Sequence, residues 1–103
     1  MYIYLVKRKD FAGYDQYDSF VVICQSETVA QGIHPNGEDY FANEVEYEKN
    51  VSEWCDRSWV PPKKVDVFYL GKADLTTQEL AEFPKVDSGR VEAYIVSSSF
   101  NAG

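Results

Sequence analysis

The alternation of apolar and polar residues divides the chain into short segments. Tyr2 to Val6 alternates, with Ile3 and Leu5 on one side and Tyr2, Tyr4 and Val6 on the other, which is the period of a strand. The charged run Lys7 to Asp10 carries that strand into solvent, and Phe11 to Gln16, with Gly13, reads as a loop. Phe20-Val21-Val22-Ile23-Cys24, opened by Ser19, is apolar without a break, which suits a central strand covered on both faces. Ser26 is placed to cap a short helix over Glu27 to Ile33, whose Val29, Ala30 and Ile33 point one way. Gly32 weakens its end, and His34-Pro35-Asn36-Gly37 is turn chemistry.

Glu44-Val45-Glu46-Tyr47-Glu48 alternates as a thin edge strand with a wet side would. Val51, Trp54, Cys55 and Trp59 then recur at helical spacing. With Asn50 and Glu53 as N-cap and N3, they predict a short helix that Pro61-Pro62 ends. Val65 to Leu70 is a third strong strand, broken at Gly71. Thr76 and Glu79 have capping-box spacing, and Leu75 and Leu80 occupy the two positions of a hydrophobic staple, so a helix starts there and stops before Pro84. Asp87-Ser88-Gly89 is a turn, and Val91 to Ser97 is a fourth strand. The order is β-β-α-(α)-β-α-β. This is an α+β fold with a single sheet of four strands, or five if 44–48 joins it, and two or three short helices. Phe20, Val22, Ile23, Val65, Val67, Val91, Ala93 and Ile95 are expected in its core.

A length of 103 residues makes one domain, 1–103, with an acidic connecting segment over 38–60. Ten Lys and Arg against 17 Asp and Glu give a net charge of −7, which argues against direct nucleic-acid binding and against docking on anionic lipid. The longest apolar run, Phe20 to Cys24, is far short of the ~20 residues of a membrane span. Met1 to Leu5 lacks the basic start and long apolar stretch of a secretory signal, so a cytoplasmic location is expected. Cys24 and Cys55 stand 31 apart with no Cys/His cluster, so the spacing offers no zinc site, and two reduced thiols are expected. No cofactor is implied.

Three segments bear a resemblance together. Gly13-Tyr14-Asp15-Gln16-Tyr17-Asp18-Ser19 leads into Val21-Val22, Ile33-His34-Pro35 follows, and Ser98-Ser99-Phe100-Asn101-Ala102-Gly103 closes the chain. The chain resembles a family of small uncharacterised proteins of phages and prophages that open with a GYDxYDS motif and end in (A/S)SFNAG. The turn Leu70-Gly71-Lys72-Ala73 fits the same pattern. Glu38 to Asp56 and the capped helix after Leu75 look longer than that family's connections. The resemblance implies a phage setting, and hence the cytoplasm of a bacterial host, but no activity.

Charge marks out the most distinctive stretch. From Glu38 to Asp56 seven acids meet only Lys49, hence −6 in 19 residues. Aromatic residues are interleaved with those acids, the pattern of an interface with apolar anchors and a charged rim. Glu38, Asp39, Tyr40, Glu44, Glu46, Tyr47, Glu48, Glu53, Trp54, Asp56 and Trp59 are therefore candidate partner-binding residues, with Phe41 beside them. The bland counterpart is a solvated face whose tryptophans complete the core, which is expected of at least one of them. A field that dense steers a basic partner. The expected function is a non-enzymatic phage accessory protein that inhibits a nucleic-acid-handling defence component of the host, of anti-CRISPR or anti-restriction type. The alternative is a small-ligand-binding module built from Tyr14, Asp15, Asp18, His34 and Asn101. There, a carboxylate orienting the single imidazole is weighed against Asp side chains capping backbone N–H groups and His34 packing beside Pro35. The same pairing would serve a general base or, with both Asp15 and Asp18, a metal, and no nucleophile signature or phosphate loop accompanies it. The hydroxyl-rich tail Ser97 to Asn101 reads chiefly as a C-terminal clamp with Phe100 in the core.

Overall fold

A computed structural model describes the backbone of residues 1–10, 13, 16–54 and 58–101, and the side chains of these except 51–54 and 101. Four strands form one antiparallel sheet: β1 (Tyr2–Arg8), β2 (Gln16–Cys24), β3 (Val65–Lys72) and β4 (Ala93–Asn101), in the spatial order β3-β1-β2-β4. The helices are α1 (Glu27–Gly32), α2 (Glu44–Trp54) and α3 (Thr77–Leu80), with a 3₁₀ turn over Pro62–Lys64 before β3. The α+β class and the element order are those the pattern predicts.

Register assigns the two faces. Tyr4 pairs with Val22 and Tyr69, Val6 with Phe20 and Val67, and Val22 with Ile95, so these residues share one side. That side carries the main core: Tyr4, Val6, Phe20, Val22, Cys24, Val65, Ala93 and Ile95 pack with Ala30 and Ile33 of α1, with Trp59 and Val60, and with Val86. The other side is crossed by the rows Ile3–Ile23–Tyr94, Phe68–Leu5–Val21–Ser97 and Asp66–Lys7–Ser19–Ser99. Only its first row is well covered, with Ile23 and Tyr94 buried, whereas Phe68 is exposed. The unbroken apolar run of β2 thus answers to burial on both faces, and β2 is an interior strand. Of the eight core residues expected, six are buried. Val67, on an edge strand, and Val91, just before β4, are half-buried.

Several expectations are corrected. Residues 44–48 form the first turns of α2, not an edge strand, so among the described residues the sheet has four strands. An Asn-x-x-Glu pattern occurs twice, seven residues apart, and the earlier copy starts the helix. Asn43 Oδ1 accepts from the Glu46 N–H at 3.0 Å, and the Glu46 carboxylate accepts from the Ala42 N–H at 2.6 Å. Asn50 is therefore inside the helix, where its amide donates to Glu46 O at 2.7 Å. Gly71, expected to break β3, lies within it beside a bulge and takes φ 155°, a region open to glycine. β1 continues through Arg8 because Lys7 and Arg8 find partners in Asp66 and Val65. β4 continues to Asn101, since 97–101 pair with 16–21; Phe100 is consequently 46% exposed against the Tyr17 ring and not in the core. α3 carries the capping box read from Thr76 and Glu79.

Candidate interaction surface

The acidic segment starts where the chain leaves α1. The Phe41 N–H donates to Gly32 O at 2.8 Å and the His34 N–H to Asp39 O at 2.9 Å, closing 33–40 into a tight loop. Such closeness requires Gly32, because a Cβ there would stand 2.3 Å from Phe41 O. Asn36 stiffens the turn, its amide donating to Asp39 Oδ2 at 3.2 Å and its carbonyl accepting from the Glu38 N–H at 2.8 Å.

α2 is pinned from below by aromatics. Tyr47 is buried, its hydroxyl donates to Trp59 O at 2.9 Å, and its ring meets Phe41 edge-on at 5.3 Å. Trp59 in turn packs edge-on against Phe20 at 5.4 Å. Half-buried Tyr40 lies under the Arg90 guanidinium, 5.2 Å from its ring centre. The aromatics proposed as contact anchors thus face inward where they are described: Tyr47 and Trp59 belong to the core. The Trp54 and Glu53 side chains and residue Asp56 lie outside the described residues.

The acids divide into two groups. Glu44 and Glu46 hold the segment together. One Glu44 oxygen accepts from the Lys63 N–H at 2.8 Å, and its other is buried with no hydrogen-bond partner among the described residues. Both Glu46 oxygens accept from Arg90, at 2.7 and 3.3 Å, and this hydrogen bonding, followed by the one from Ala42, holds the carboxyl below the usual range. Glu38 and Glu48 are exposed and Asp39 is half-buried. On the outward face of α2, Val45 is 75% exposed, with Glu48 and Lys49 three and four residues on and so beside it. Arg90 escapes a sequence reading: it meets Glu46 across 44 positions, with no local pattern to announce it.

The alternative ligand site is divided by the sheet. Asp18 sits at a bulge, and its carboxylate accepts from the Ser19 hydroxyl at 2.8 Å and the Ser99 hydroxyl at 3.1 Å, both on the open face. Among the described residues it ties β2 to β4. His34 is 1% exposed on the covered side, beside Tyr17 and Phe41, and Pro35 is buried with it. The Asn36 N–H donates to its Nδ1 at 3.0 Å, which leaves the ring proton to Nε2, 3.5 Å from Ser58 Oγ. An Asp18–His34 pair is therefore not formed. Tyr14 and Asp15 lie outside the described residues, as does the Asn101 side chain.

A cleft of about 470 Å³ opens elsewhere, between α1 and the loop before β4, lined by Gln25, Val29, Lys85, Arg90, Val91 and Glu92 among others. Two of its charges are engaged, Arg90 by Glu46 and Glu92 by the Tyr94 hydroxyl at 2.9 Å. Cys24 is a buried free thiol donating to Ser26 O at 3.3 Å, and burial pushes its pKa up to about 11. Cys55 is outside the described residues. No described helix is long and apolar enough to cross a membrane. No protein-family model matches the sequence, and neither a curated protein nor a solved structure matches it.

Proposed function

We propose that this chain is a non-enzymatic accessory protein of a phage that binds and inhibits a host protein with a basic surface, of the kind that handles nucleic acid. The phage setting rests on the resemblance of the GYDQYDS and SSFNAG segments. The observation that carries the binding reading is the outward face of α2. Val45 stands 75% exposed beside Glu48 on a helix locked by buried Tyr47 and by the Glu46–Arg90 pair, with exposed Glu38 on the loop before it. An exposed apolar side chain with carboxylates near it on a held element has the composition of a contact patch, because a preorganised surface loses little entropy on docking.

The test keeps the residues that hold the fold. Glu38→Lys with Glu48→Lys changes the charge by four units at exposed positions, and Val45→Ala removes the apolar contact. Asp18→Asn is the control. In pull-downs from host lysate, the parent should capture one stoichiometric partner, less of it as salt rises. The charge-reversed protein should keep its fold by circular dichroism and lose at least tenfold in affinity, while Asp18→Asn binds as the parent does. Equal capture by the charge-reversed and parent proteins would sink this reading.

A further inference from the structure

The two edges of the sheet are unlike. β4 is covered at 93–95 by the returning chain: the Val86 N–H donates to Ala93 O at 2.8 Å, and the Ile95 N–H to Pro84 O at 2.9 Å. β3 has β1 on one side and no described strand on the other. It is eight residues long and contains no proline, and Phe68, Tyr69 and Leu70 are 48%, 61% and 55% exposed. The Tyr69 ring is propped by Tyr2 and Tyr4 at 6.0 and 5.9 Å. A long apolar edge of this kind is a template for another strand.

The charges along β3 indicate which strand. Counting from Tyr69, Asp66 lies three residues before and Lys72 three after, and Lys64 five before and Asp74 five after. The pattern reverses sign about Tyr69. We infer that β3 pairs antiparallel with β3 of a second copy about a two-fold axis near Tyr69, joining two sheets into one of eight strands. Each Asp66 then approaches the other copy's Lys72, and Phe68 approaches Leu70. The bulge between Tyr69 and Gly71 displaces the second half of the strand by one residue, a diagonal that a lysine side chain spans. Asp66 is available for this: its ion-pair neighbour Lys9 is 3.8 Å away, with both side chains about half exposed. A two-fold contact uses one patch twice, so the complementarity has to be internal to the strand, as it is here.

The pairing is read by sedimentation of the intact chain from low to high micromolar concentration in low salt. The parent should move from one chain of 11.8 kDa to twice that mass. The doubling is expected within the micromolar range, because an edge-to-edge strand contact belongs with the small, transient interfaces. Asp66→Lys and Lys72→Asp should each weaken the dimer at least tenfold, and the double exchange should restore it to within threefold. A parent that stays monomeric throughout overturns the inference, including one that binds a strand of another protein along β3 in monomeric form. A dimer indifferent to the single reversals, or one the double exchange fails to rescue, also overturns it. Should a charge variant not fold, amide exchange on the parent decides. Protection along 65–72 must rise with concentration as the mass doubles, and unchanged protection in a doubled species places the interface elsewhere. The α2 reversals of the binding test leave β3 untouched, so the two readings fail independently.

Discussion

At the scale of single residues, this protein depends on close approach and on buried polar groups that find partners. Gly32 passes against the Phe41 backbone, and the obstacle to any side chain there is a carbonyl oxygen, which cannot swing aside as a side chain could. Gly32→Ala should therefore destabilise by about 1–3 kcal/mol. Gly89→Ala, where nothing lies within 4 Å of the added carbon, should stay within about 0.5 kcal/mol. Urea titration of the two variants makes the comparison. Tyr47→Phe removes the hydroxyl that reaches Trp59 O in a buried setting, and a loss of about 1–2 kcal/mol is expected in the same assay. The glycine was legible in the sequence only as a weak helix end. What it accommodates comes from Phe41, nine residues further on.

At the scale of elements, α2 is set by its start. Asn43 and Glu46 close the first turn, and Glu46 also binds Arg90, so one carboxylate fastens the helix to the loop before β4. Glu46→Gln and Arg90→Gln should each lower the urea midpoint. The double variant should cost clearly less than the two single losses added together, because both remove the same contact. Additive losses would show that the residues act separately. The alternation at 44–48 misleads because five residues are less than one and a half turns of helix, too short a stretch for the period to separate helix from strand. The cap distinguishes them, and its signature was present at Asn43 and Glu46 as well as at Asn50 and Glu53. Thr76 and Glu79 show the converse, a box whose local sequence is sufficient and which the structure contains.

For the whole molecule, pH acts through carboxylates spread over different parts of the chain. Asp10 is held low chiefly by the Arg8 hydrogen bonds, Glu46 by Arg90, and Glu79 by the Thr76 backbone and side chain. The folded protein thus binds protons at these sites less readily than the unfolded chain does. Their contribution to stability is complete above the unfolded values, near pH 4, and is lost as pH falls through the lower folded values. Urea midpoints should fall below about pH 4, with Glu46→Gln flattening part of that fall. A midpoint that rises on acidification would contradict the sign.

The element order, the interior position of Phe20–Cys24 and the Thr76 cap were determined by the sequence alone, because burial on two faces and local capping each leave a short-range signature. The direction faced by the acidic segment was a tertiary matter. Seven acids and their neighbouring aromatics look alike along the chain, whether they solvate a helix, bind Arg90 or reach under α2 to the core. Only folding separated Glu44 and Glu46, which hold the structure, from Glu38 and Glu48, which face water. The fate of Asp18 and His34 was tertiary as well: they stand 16 residues apart in a promising pattern, yet the sheet lies between them. The reason is the strand's two-residue period combined with a bulge at Asp18. Together they choose a face for each side chain, and that choice depends on pairing with β4 at the far end of the chain.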